Sequence, residues 1–245
     1  MSDYIFALVK VFKEMEWAEN FRKGQLFMNP LKYFIKSEKD EIGDCSEATA
    51  IILKYDFNLF GKYHEYSYKI GDGTAFHNPV FCMYTIYKSD YERNGNMIKL
   101  TNKKMDKFGG YAVIVTDVRK FLERIKQKAS QLKYSRISYI DFSNIRGAIY
   151  YPILKKSIDY KHQKEFRIFS DQVVIQGGYT DEIKSLFSNV NFIETNHYNA
   201  CIGDIHDLTS KIYHTEDMLC GVTQQINIDW NFCKKQNLDL TKKYT

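Results

Sequence analysis

What most constrains this chain is a set of short apolar runs of strand length that do not alternate regularly with helices. Residues 5–12 (IFALVKVF), 79–87 (PVFCMYTIY) and 110–116 (GYAVIVT) are short and rich in β-branched and aromatic residues, which suits buried strands better than helices. The clearest helical spacing follows Asp117, where Val118, Phe121, Leu122, Ile125, Ala129 and Leu132 recur three and four residues apart with lysines and arginines opposite. Asp117 caps this amphipathic helix. A doubly wound parallel sheet needs a strict strand–helix rhythm, and this chain lacks one. The expected fold class is therefore α+β, a single domain over 1–245 with a largely antiparallel mixed sheet, a few flanking helices and a polar, lysine-rich C-terminal tail.

The remaining elements follow from the same signals. Glu14 to Lys23 reads as a helix, with Trp17 and Phe21 at i, i+4 and Gly24 as its stop. Residues 25–29 form a strand ended by Pro30, and the polar stretch Ser37 to Glu47 a loop that holds Asp44 and Glu47. Alternation over 48–70 predicts a hairpin about Gly61, with Tyr55, Phe57, Tyr66 and Tyr68 on its strands. Its tyrosines could form a stacking surface, but cross-strand pairs are the commoner use of such a ladder. Further strands are expected at 135–142, 164–169, 172–176 and 191–195, and helices at 180–188 and from Asp204 to Tyr213.

Charge and motif content narrow the function. The net charge of +5 comes from 35 basic against 30 acidic residues, and only seven of the basic ones are arginines, which is lean for a reader of nucleic-acid sequence. The five cysteines are odd in number, with no Cys-x-x-Cys pair, and read as free thiols in a reducing, cytoplasmic compartment. Asp3, Lys10 and Lys13 interrupt the N-terminal apolar run, so neither a signal peptide nor a membrane span is expected. No two of the six histidines stand at i, i+4 and no two cysteines form a Cys-x-x-Cys pair, so no zinc site is expected. Glycine-rich phosphate loops, the Gly-x-Ser-x-Gly elbow and His-Glu-x-x-His are absent.

The stretch Asp159 to Phe169 carries the most chemistry. Strand periodicity places Gln163, Glu165 and Arg167 on one face and Phe166 and Ile168 on the other. Such a row is either a mutually satisfied ion pair or the wall of a pocket that needs both signs of charge.

Four pieces, LVKVF at 8–12, the helix and glycine leading into QLFMN at 20–29, GDCSE at 43–47 and HQKEFRI at 162–168, together resemble a widespread bacterial family of unknown function. Its members open with Leu-Tyr-Lys-Tyr and continue to Leu-Tyr-Phe-Ser, Asn-Asp-Pro-Phe-Glu and Glu-x-Glu-Trp-Arg. Asp44, Glu47, Glu165 and Arg167 are the matching positions, while Gly43, Cys45 and Phe166 depart from the pattern. The opening and the Gln163-Lys-Glu165 segment are also similar to ADP-ribosyltransferases, although Lys10 stands where those carry His or Arg, and Tyr84-Thr85 lies outside their Ser-Thr-Ser pattern.

That resemblance implies NAD as substrate. Glu165 would be the catalytic carboxylate that stabilises an oxocarbenium-like transition state, and Gln163 would orient the acceptor, a protein or a nucleic acid. Arg167 or Lys10 would balance the pyrophosphate or tune the glutamate, Tyr84 would stack on nicotinamide, and Asp44 and Glu47 would serve on the cofactor side. The role implied is a toxin, or a protein of the conflict between phage and host. Two rivals stand beside it. One is a non-enzymatic module that binds a nucleotide-like signal or a protein. The other is a nuclease in which Asp44, Glu47 and Glu165 gather Mg²⁺.

Overall fold

The computed structural model describes residues 3–36, 43–59, 62–174, 192–193, 197–229 and 232. They form an α+β fold with largely antiparallel sheets. Strands β1 (Ile5–Phe12), β2 (Gln25–Pro30), β5 (Pro79–Tyr87) and β6 (Tyr111–Val115) make the centre of the main sheet. Between β2 and β5 the chain forms the hairpin β3 (Thr49–Leu59) and β4 (Lys62–Gly71), in which Tyr55 lies opposite Tyr66.

Both faces of the central strands are covered, which is why they read as continuous apolar runs. On one face Leu8, Phe81, Met83, Val113 and Val115 pack on Phe21 of α1 (Met15–Arg22) and on Phe121, Leu122 and Ile125. On the other, Val9, Tyr84, Ile86 and Ile114 meet Ile98, Leu100, Met105 and Met218.

The long β5 organises the sheet. Tyr84 pairs with Val9 on β1 and with Glu165 on another strand, Glu165–Ser170, whereas Val80 pairs with Asn29 on β2 and with Phe169 of that same strand. It follows that β1 and β2 share one edge of β5 and part between Val80 and Tyr84. Beyond the fork β1 continues on β6 alone, through Lys10, Val11 and Phe12. The Glu165–Ser170 strand covers the opposite edge of β5 without interruption and is flanked in turn by Leu132–Arg136.

Several expectations change. The amphipathic helix runs Val118–Lys128 with Asp117 capping Lys120 N, and Leu132 already belongs to the next strand, where it pairs with Ser170. The expected strand 135–142 is therefore two, Leu132–Arg136 and Ser138–Ile140. In place of a helix over 204–213 there is one 3-10 turn, His206–Leu208, because Thr116 N donates to Leu208 O and Ser210 N to Ile114 O. Tertiary pairing with β6 thus takes the hydrogen bonds a helix would have used. A short helix at Thr215–Cys220 follows.

In α1, Phe21 is buried while Trp17 is exposed; Ala18 is the other buried residue of that helix. The strands expected at 172–176 and 191–195 are a short parallel pair, Val173–Val174 with Phe192–Ile193. The helix expected at 180–188 and the turn at Gly61 lie outside the described residues. Cys82, Cys201 and Cys220 are free thiols. Among the described residues no helix is long and apolar enough to cross a membrane.

Candidate functional site

The site forms where the fork in β5 faces the start of the Glu165–Ser170 strand. Ahead of that strand, the 3-10 turn Ile158–Gln163 ends at Lys164, which adopts the left-handed conformation (φ 42°, ψ 47°). A lysine there is strained. Two contacts hold it: Thr85 N donates to Lys164 O at 2.9 Å, and Lys164 Nζ lies 2.8 Å from Asp90 Oδ1. This reversal takes Gln163 off the strand face on which the periodicity places it. Gln163 is nevertheless 4% exposed and lines the same cavity as Glu165.

Four charges from three segments meet beside it. Glu165 Oε1 accepts from Arg167 Nε at 2.7 Å and lies 2.6 Å from Arg167 Nη2; Glu165 Oε2 accepts from Lys156 Nζ at 3.2 Å. Glu47 completes the ring, with Oε2 3.2 Å from Arg167 Nη2 and Oε1 2.8 Å from Lys156 Nζ. The last contact is an ion pair whose angles are poor for a hydrogen bond. Arg167 Nη1 also donates to Ile153 O. Two carboxylates and two cations cancel, which is how four buried charges are tolerated away from water.

The protonation states follow. Burial alone would raise the Glu165 pKa, but the charges of Arg167 and then Lys156 outweigh it and hold the carboxyl well below its ordinary range. Burial likewise opposes the charge on Lys156, and Glu165 and Glu47 reverse that, so its pKa rises. Beside them burial, helped by Glu165, pushes the Cys82 thiol up to about 12.

Lys10 occupies the fork. Its Nζ donates to the Cys82 carbonyl at 2.7 Å and sits 4.4 Å from the centroid of the Phe81 ring. A side chain thereby supplies a hydrogen bond to the edge of β5 at the point where β1 and β2 have separated. Burial lowers its pKa, against the pull of Cys82 and Glu165.

A cavity of about 70 Å³ opens between these groups. Glu47, Lys10, Tyr84, Gln163, Glu165 and Arg167 all line it, so six of the seven residues singled out from sequence converge there. Asp44 does not reach it. Its carboxylate accepts from Ser46 N at 2.8 Å and from Ser157 N, which ties the segment carrying Glu47 to the strand carrying Lys156. Asp44 is thus a buried structural clasp rather than a ligand contact. Tyr84 is 2% exposed and its hydroxyl is bound to Thr101 Oγ1 at 2.9 Å.

Sequence reasoning missed Lys156. Nothing in Lys155-Lys156 distinguishes the buried lysine from its neighbour, and only a strand placing one of the two inward could have done so. The metal-nuclease reading loses its donor set, because Glu47 and Glu165 already carry Lys156 and Arg167 as counter-ions and Asp44 is bound to backbone amides. Among the described residues no group of three or more His, Cys, Asp or Glu side chains is placed to hold a metal ion. Comparison with protein-family models, with curated proteins and with solved structures found no match.

Proposed function

We propose that the cavity at the fork is a receptor site for a nucleotide-like small molecule, which the chain binds without turning it over. One observation carries this reading: both oxygens of Glu165 are already engaged, Oε1 by Arg167 and Oε2 by Lys156. A carboxylate that stabilises a ribosyl cation must direct its charge at the reacting carbon. Here that charge is spent within a neutral ring, and the apolar walls with a few convergent polar groups are those of a binding pocket. A cavity that holds benzene measures about 150 Å³, so one of about 70 Å³ takes only the leading edge of a ring, and most of the ligand would lie outside it.

Incubation with NAD tests the proposal. Expected is a raised melting temperature with NAD, ADP-ribose or AMP and no release of nicotinamide. Steady nicotinamide release by the wild type, lost in a folded Glu165→Gln variant, would refute it in favour of the second reading.

That second reading is ADP-ribosyl transfer from NAD through Glu165 to a protein or nucleic-acid acceptor. It draws on the convergence of an ionised Glu165 with Gln163, Tyr84 and Lys10 around one cavity. Its biological setting, as a toxin or in the conflict between phage and host, rests on the sequence resemblance alone.

A further inference from the structure

We infer that Gln163 reads a planar ligand edge in which a hydrogen-bond donor sits beside an acceptor, as in a carboxamide or in the edge of a nucleobase. The inference deepens the receptor reading and rests on it. Gln163 is 4% exposed, lines the cavity, and its Nε2 has no hydrogen-bond partner among the described residues. Native proteins pair nearly all such groups, so an unpartnered amide on a residue that lines a cavity points to a partner from outside the chain.

The neighbouring polar groups are committed elsewhere. The Glu165 oxygens belong to Arg167 and Lys156, the Tyr84 hydroxyl to Thr101, and the Cys82 carbonyl to Lys10. Among the described lining residues Gln163 is therefore an uncharged group that can specify what enters. A primary amide carries donor and acceptor in one plane. Its best complement is another planar group with the two roles reversed, held by two parallel hydrogen bonds, the geometry by which glutamine reads adenine. Val9, Met105 and Phe108 make the rest of the wall apolar, which suits the edge of an aromatic ring rather than a charged group.

The backbone that carries the amide is also held in place. Left-handed Lys164, pinned by Thr85 N and Asp90, sets the backbone direction of the residue before it. Orientation fixed before binding avoids an ordering cost at the moment of binding.

Calorimetric titration of the full chain with two pairs of small probes tests this. Nicotinamide is set against 3-acetylpyridine, and adenine against purine; in each pair the second compound lacks the amino donor. Expected is that nicotinamide or adenine binds and its donor-less analogue binds at least about tenfold more weakly. Gln163→Leu should bring that pair to within about twofold, and Gln163→Met serves if the leucine variant does not fold. Which of the two pairs responds identifies the source of the edge.

Equal binding within both pairs, a preference that survives in Gln163→Leu, or binding by neither nicotinamide nor adenine overturns the assignment. The two levels separate cleanly. Nucleotides that raise the melting temperature while the probes show no preference refute the role of Gln163 alone, whereas the absence of any nucleotide effect refutes the receptor site itself.

Discussion

Removing Lys156 alone should damage the protein far more than removing Lys156 together with Glu47. In Lys156→Met the two carboxylates, Glu47 and Glu165, are left to share Arg167, so one negative charge is buried without compensation. Breaking one partner of a buried ionic group costs about 3–5 kcal/mol. For a chain of 245 residues that is a fall in melting temperature of roughly 6–20 °C, at about 2–4 °C per kcal/mol. The double variant Glu47→Gln/Lys156→Met removes one charge of each sign and keeps the Glu165–Arg167 pair, whose contacts at 2.6 and 2.7 Å are the shortest in the ring. The double variant should therefore recover at least about 2 kcal/mol relative to Lys156→Met, a coupling that a double-mutant cycle measures directly. Urea unfolding of the four proteins, followed by tryptophan fluorescence and circular dichroism, gives the free energies. If Lys156→Met lies within about 1 kcal/mol of wild type, or if the double variant is as unstable as the sum of the singles, the four side chains do not act as a neutral unit.

Other consequences can be measured independently. Because the folded-state pKa of Glu165 is depressed, its contribution to stability is complete above the ordinary carboxylate value of 4.5 and is lost as pH falls through the lower folded value. Melting temperature should accordingly decline steeply below about pH 4.5, and Glu165→Gln should flatten that decline; an unchanged slope refutes the assignment. Iodoacetamide at pH 8 should modify the exposed Cys45, Cys201 and Cys220 of the native protein and spare Cys82, whose thiol is held near 12; peptide mass spectrometry showing Cys82 labelled at a comparable rate would contradict this. Gln163→Leu should raise stability by about 1–3 kcal/mol, since it removes an unpartnered buried amide, and a loss of stability in the same unfolding assay would mean that the amide has a structural partner.

The parts of the fold that were legible are those in which a local pattern and tertiary burial agree. The strands Ile5–Phe12 and Pro79–Tyr87 stand where their apolar runs place them, and Asp117 caps its helix as the spacing predicts. The segment after Asp204 misleads because its backbone hydrogen bonds go to β6, a partner that helical propensity does not register. At the site, the pairing of Glu165 with Arg167 was already one of two readings of the charged row, whereas the ring that neutralises both needed Lys156 and Glu47 from elsewhere in the chain. Gln163 stands near Glu165 for a reason other than strand alternation. Two-residue periodicity put it beside Glu165, and the structure puts it there through a left-handed turn that no alternation pattern contains.

The parting of β1 and β2 leaves Lys10 to complete the edge of β5. Between the last rung to β1 and the first rung to β2, its ammonium stands in for an absent strand at the Cys82 carbonyl. That substitution depends on the reach of a lysine, and a shorter side chain at position 10 would leave the carbonyl without this bond.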